Sequence, residues 1–209
     1  MFYLLVVFTS IYLVFILFII SGLFRHNILP VSNSETLPFV SVIIAARNEE
    51  ENLPYLIDDL INQEYPLGKF EIIIVNDRSN DSTQNILIEA SENYSFIKHI
   101  KIDKESKEMT PKKYAIDMGI KESKGEIILA TDADCRVGSL WVSSMTYSLI
   151  HKNGIIIGYS EIDDKKGTLF EKYQKIDFLA IIAANAGAAG WNHYWSGTGQ
   201  NLAYYKKDF

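Results

Sequence analysis

Asp132 and Asp134 stand two residues apart at the end of the apolar run Glu126-Ile-Ile-Leu-Ala-Thr-Asp-Ala-Asp-Cys135. In an extended chain residues i and i+2 share a face, so the spacing predicts two carboxylates directed into one crevice beyond a strand end. Packing explains such a pair poorly, because Asp is depleted in strands and rarely buried without a partner. A divalent cation holding a diphosphate is a ready partner, since hard oxygen ligands suit Mg²⁺ or Mn²⁺. A solvated turn after the strand is the competing reading. Cys135 adjoins the pair and is the single cysteine, which excludes an intrachain disulfide and fits a reducing compartment. With no His or second Cys close by in sequence, it reads as a small packing residue before a reactive thiol or metal ligand.

Two further apolar runs also end in polar clusters. One leads into Ala45-Ala46-Arg47-Asn48-Glu49, the other into Val75-Asn76-Asp77-Arg78-Ser79-Asn80-Asp81-Ser82-Thr83. Small residues such as Ala45 and Ala46 let a flat base approach the backbone, and a carboxylate such as Asp77 can accept the imide N–H of uracil. Asp81, Ser82 and Thr83 read instead as the cap of a following helix. Lys112 and Lys113 precede a helix and can offset phosphate charge, although a lysine pair is commonly a solvated face.

The elements that must position these residues alternate. Short runs rich in Val and Ile predict strands over 39–46, 70–76, 96–102, 126–131 and 154–162. Helical spacing predicts helices over 52–63, from Asp81 or Ser82 to about 93, and over 112–122 and 139–152. Asn52 is the expected N-cap of the first, with Pro54 tolerated in its first turn. Such alternation makes a mostly parallel sheet covered by helices on both faces, with ligands beyond the carboxyl ends of the strands. The segment 168–189 carries an apolar stripe through Phe170, Tyr173, Ile176, Leu179 and Ala183 and reads as a core or membrane-interface helix.

The chain has 209 residues, 48% hydrophobic, with a formal net charge of −6. The acidic balance argues against nucleic acid as the main partner. From Phe2 to Phe24 there is no charged side chain; as a helix this run would span about 35 Å, enough to cross a hydrocarbon core. It lacks the basic n-region and small-residue cleavage site of a signal peptide, so 1–24 is expected to be a retained transmembrane helix. Arg25 places its C-terminal flank in the cytoplasm, and 25–38 reads as a linker to a soluble domain over 39–209.

At this point the chain resembles a known family. Ser41-Val-Ile-Ile-Ala-Ala-Arg-Asn-Glu49, Glu71-Ile-Ile-Ile-Val-Asn-Asp77 with Ser79 and Asp81, Lys112-Lys-Tyr-Ala-Ile-Asp-Met-Gly119, Lys124-Gly-Glu-Ile-Ile-Leu-Ala-Thr-Asp-Ala-Asp134 and Gly197-Thr-Gly-Gln-Asn-Leu-Ala-Tyr204 occur in the order and with the spacings of family 2 glycosyltransferases. The likeness is to membrane-anchored members directed to polysaccharides or lipids, including processive types. It implies an α/β GT-A nucleotide-diphospho-sugar transferase fold and an inverting transfer of a sugar from a nucleotide-diphosphate donor. It also implies Mg²⁺ or Mn²⁺ and a saccharide or lipid-linked acceptor. On the donor side it assigns Ala45, Arg47, Glu49, Asp77, Lys112, Asp132 and Ala133, with Asp77 reading a base expected to be uracil, Asp132 contacting the ribose or sugar, and Asp134 ligating the metal. On the acceptor side it assigns Trp195, Gly197, Gly199, Gln200 and Asn201, with Trp195 stacking on a sugar ring. Family members carry an acidic general base some tens of residues after the glycine-asparagine segment. Asp163, Asp164, Asp177 and Asp208 lie outside that context, so the expectation is the N-terminal portion of a longer enzyme, one that binds donor and metal but transfers sugar poorly alone.

Three other readings compete. A haloacid-dehalogenase-like phosphatase also begins from Asp-x-Asp after an apolar strand, but here Arg136 stands where that family has Thr or Val. A dinucleotide-binding dehydrogenase fits the alternation, but no G-x-G-x-x-G follows the first strand. A membrane-anchored scaffold that binds nucleotide sugar without turnover is the third.

Overall fold

The computed structural model describes residues 1–26, 37–152, 154–163 and 167–209. Most of the expected linker over 25–38, and Asp164, lie outside the described residues. The chain divides into two compact units, one formed by Met1–Pro30 with Tyr159–Gly197 and the other by Val31–Gly158 with Thr198–Phe209. Within the expected domain over 39–209, residues 159–197 fall in the same unit as the N-terminal helix.

The larger unit is built on a six-stranded sheet in the order β3-β2-β1-β4-β6-β5. Strands β1 (Val40–Ala46), β2 (Phe70–Asp77), β3 (Ile97–Ile102) and β4 (Ile127–Asp132) are parallel neighbours. β6 (Asn201–Tyr205) runs antiparallel to β4, and β5 (Ile155–Ile157) antiparallel to β6. The apolar stretches Val42–Ala46 of β1 and Ile72–Val75 of β2 suit a position covered on both faces. Alternate residues supply the two cores. Val42, Ile44, Ile72 and Ile74 pack with α2 (Leu53–Ile61), α3 (Thr83–Asn93) and α5 (Trp141–Lys152). Ile43, Ile73, Val75 and Ile128 pack under α4 (Pro111–Glu122). Helix α4 lies so near the sheet that a Cβ on Gly119 would meet Ile43 Cγ2 at 2.7 Å.

Helices α2 and α3 start where the sequence puts them, although neither N-cap residue makes the cap bond with its own side chain. Asn52 is the N-cap of α2, yet its side chain makes no cap bond; its amide donates to Glu49 Oε2 at 2.9 Å. Ser82 holds the N-cap position of α3 without a side-chain bond, and the capping oxygen is Asp81 Oδ1, which accepts the Thr83 N–H at 3.0 Å. The strand expected over 154–162 is only the short β5. Beyond it the Gly158 N–H donates to the Asn201 carbonyl, and a Cβ at Gly158 would lie 2.4 Å from the Asn201 side chain.

Opposite the strand ends that carry the acidic pair, Glu71 is buried under a closed set of donors. Its Oε1 accepts from Ser41 Oγ at 2.8 Å and the Lys124 N–H at 2.6 Å, and its Oε2 from Lys98 Nζ at 2.5 Å. Burial alone would push this carboxyl up, but Lys98, the Lys124 amide and Ser41 together hold it below the ordinary glutamate value.

The smaller unit pairs α1 (Phe2–Leu23) with α6 (Leu169–Gly190). α1 is long and apolar enough to cross a membrane, and nearly all its side chains are exposed. The helices meet through glycines: a Cβ on Gly22 would lie 1.9 Å from the Gly187 carbonyl oxygen, and one on Gly190 would lie 2.0 Å from the Gly22 oxygen. Trp191 Nε1 donates to the Phe18 carbonyl at 3.1 Å, and the Arg25 guanidinium sits 4.0 Å over the Trp191 ring. Helix α6 starts with a capping box between Thr168 and Glu171.

Candidate active site

Parallel pairing brings the carboxyl ends of β1, β2 and β4 side by side, with Ala45 opposite Asp132 and Ala46 opposite Asn76. A crevice of about 300 Å³ opens there. Ala45, Ala46, Arg47 and Glu49 come to it from the end of β1, and Asp77 from β2. Pro111 and Lys112 come from the first turn of α4, and Asp132, Ala133 and Asp134 from β4 and its turn. All seven residues expected on the donor side, and the expected metal ligand, therefore line one opening.

The acidic pair converges by another geometry than the extended one. Asp132 is the last residue of β4, while Ala133 and Asp134 belong to a turn in which the Cys135 N–H donates to the Asp132 carbonyl at 3.2 Å. The turn, rather than a shared strand face, carries Asp134 to the crevice. Lys112 Nζ lies 2.7 Å from Asp132 Oδ1. Cys135 is half-buried, and burial, followed by the Asp134 carboxylate, pushes its thiol up. A protonated thiol is neither a good nucleophile nor a metal ligand.

The loops that follow β1 and β2 are laced to each other. The Asn48 N–H donates to Ser79 Oγ at 2.9 Å, and the Asn80 N–H returns a bond to Asn48 Oδ1 at 2.9 Å. The Glu50 N–H donates to Asp81 Oδ2 at 3.2 Å, and the Ser82 N–H to Glu50 Oε2 at 2.8 Å. The Glu49 N–H is satisfied by Thr83 Oγ1 at 2.9 Å. Asn48 and Arg78 hold positive φ, 56° and 55°, a region that residues other than glycine seldom occupy.

Two carboxylates are the usual protein share of a Mg²⁺ or Mn²⁺ site completed by substrate phosphates and water. Among the described residues no three of His, Cys, Asp and Glu gather into a ready metal cage. Asp132 and Asp134 on one rim, beside Lys112, fit an ion that arrives with a diphosphate.

A model of the family described as Glycosyl transferase family 2 matches residues 41–208. The chain belongs to this family. The Bacillus subtilis protein named Probable glycosyltransferase YdaM is 32% identical over 201 residues, covering 91% of this chain and 48% of that relative. The Beta-monoglucosyldiacylglycerol synthase of Trichormus variabilis is 38% identical over 104 residues, covering 50% of this chain and 22% of that one. The chain thus spans about half, or less, of the length of these relatives. Among solved structures, a mannosyltransferase of Pyrobaculum calidifontis in complex with GDP-Man and Mn²⁺ superposes with a TM-score of 0.70. It is 17% identical, with 97% of this chain and 55% of that chain covered. The mixed α/β sheet is therefore a GT-A glycosyltransferase fold.

The residues expected on the acceptor side of this family 2 chain fall in both units. Gly199 and Gln200 form the turn before β6, with open space where a Gly199 Cβ would be. Asn201 opens β6 opposite Thr131, and its Oδ1 accepts from Trp141 Nε1 at 2.9 Å, which ties α5 to the sheet. These three do not line the crevice. Trp195 and Gly197 belong to the smaller unit, where the Trp195 ring stacks on Phe15 at 6.1 Å between centroids and 9° between planes. The sequence reading missed the loop after the acidic pair. Arg136 grips Asp59 with two bonds of 2.6 and 2.7 Å, and the Val137 N–H adds a third at 3.0 Å. Burial alone would raise the Asp59 carboxyl, but Arg136 and Val137 hold it below its ordinary value. The Asp58-Asp59 pair of an amphipathic helix gives no hint of that partner.

Proposed function

We propose that the chain forms the donor side of an inverting glycosyltransferase that takes a sugar from a nucleotide-diphosphate donor, with uracil as the expected base. The acceptor in this reading is a saccharide or a lipid-linked acceptor. The observation that carries this reading is the convergence of Arg47, Asp77, Lys112, Asp132 and Asp134, from three strand ends and one helix start, on a single crevice. Asp77 would accept a hydrogen bond from the base, while Ala45 and Ala46 leave its plane room. Asp132 would orient the ribose or sugar. Lys112 would hold the diphosphate by charge, helped by the positive end of α4. Asp134, with Asp132, would hold Mg²⁺ or Mn²⁺. When bound, such an ion supplies Lewis-acid stabilisation of charge on the departing diphosphate. The reading puts α1 across a membrane and the crevice on the cytoplasmic side, supported by the apolar length of α1 and by Arg25 at its end.

The test is calorimetric titration of the purified chain with UDP, with and without Mn²⁺. Binding should strengthen with Mn²⁺, and Asp134→Ala should remove that gain, a loss of about tenfold or more in affinity. Undiminished metal-dependent binding in the variant would refute the role of Asp134.

A further inference from the structure

Arg78 follows the proposed base reader but does not itself line the crevice. Its φ of 55° suits glycine, which pays no Cβ penalty there, and disfavours a long side chain. All three guanidinium nitrogens nonetheless donate. Nε donates to Asp77 Oδ1 at 2.8 Å and Nη2 to Asp77 Oδ2 at 3.3 Å, so one planar fork covers both oxygens. Nη1 donates to Glu105 Oε1, from the segment between β3 and α4. Asp77 is buried, its side chain only 7% exposed, and the second arginine near it, Arg47, stands 3.9 Å from Oδ2.

A carboxylate offers about four lone-pair directions, and the fork takes one on each oxygen. What remains for a ligand is restricted in direction, and that direction is set by where Glu105 holds the guanidinium. We infer that Arg78 and Glu105 are positioning residues that aim the Asp77 carboxylate at the donor base; this rests on Asp77 being the base-reading residue. Charge neutralisation alone would not call for this arrangement. A lysine would serve as a point charge, whereas only a guanidinium fixes the plane of the carboxylate.

The experiment compares UDP with inorganic pyrophosphate, both with Mn²⁺, titrated into the full chain and three variants. Arg78→Gly suits the backbone at positive φ and removes the fork; Arg78→Lys keeps the charge and loses the plane. Each should lower UDP affinity by about tenfold while pyrophosphate affinity changes by less than about twofold. Glu105→Gln, which leaves Asp77 paired, should give the same split at about threefold. Equal losses for both ligands, or unchanged UDP affinity in the Arg78 variants or in Glu105→Gln, overturn the inference. A wild-type chain that binds UDP no better than pyrophosphate instead sinks the assignment of Asp77, before any variant is compared.

Discussion

Lys112 pairs with one member of the acidic pair, 2.7 Å from Asp132, and is 56% exposed. It is held at the mouth of the crevice by the first turn of α4, which lets its ammonium reach either Asp132 or an incoming phosphate. Lys112→Met should therefore weaken pyrophosphate and UDP alike, by about tenfold each, with a shallower salt dependence of binding; titrations at two ionic strengths check this. A variant that loses UDP alone would contradict a phosphate role. The chemistry of these residues was legible from type and spacing because Asp, Lys and small residues at strand ends have few packing uses. Their mutual geometry was less so. The i, i+2 argument assumed extended backbone through Asp134, and the chain instead turns after Asp132. Arg78 was passed over because an arginine after an aspartate carries no signal until its positive φ is seen.

At the scale of elements, short Val- and Ile-rich runs located β1 to β4 closely, and helical spacing with cap signals located α2 to α5. β6 was missed: Asn201–Tyr205 is short, flanked by Lys206 and Lys207, and its burial comes from pairing with β4 across a long connection. The strand starts are pinned by Glu71, which the sequence presents only as a polar residue inside an apolar run. Its folded carboxyl titrates below the ordinary value of 4.5, so its contribution is complete above that pH and fades as pH falls through the lower folded value. The wild-type melting temperature should therefore drop below about pH 4.5, and Glu71→Gln should flatten that drop. At neutral pH the same variant should lose about 2 kcal/mol, less than a fully buried pair would cost because Lys98 is 41% exposed. Thermal unfolding across pH 3 to 7 measures both, taking that window as roughly bracketing carboxyl titration. Equal slopes in the two proteins would rule out this role for Glu71.

For the molecule as a whole, the segment 159–197 joins the N-terminal helix in a unit of its own, an association that the apolar stripe of α6 did not announce. Its basis is absence of side chains: Gly22, Gly187 and Gly190 let two backbones touch. Gly22→Leu should force α1 and α6 apart, at about 2 kcal/mol for an overpacked contact, and release Trp191 from the Phe18 carbonyl. In detergent this should appear as a lower melting temperature with red-shifted tryptophan emission, and in a Trp191→Phe background the shift should vanish. The antiparallel placing of β6 has a further outcome, in the order of synthesis. β1 to β4 leave the ribosome well before Asn201 does. Meanwhile the outer rim of β4, with Ile127, Ile128, Leu129 and Ala130, waits without its neighbour. Bare apolar strand rims recruit foreign strands, so the nascent chain is most vulnerable to clumping while residues 133–200 are emerging, and slowing translation during that emergence should lower the yield of folded protein.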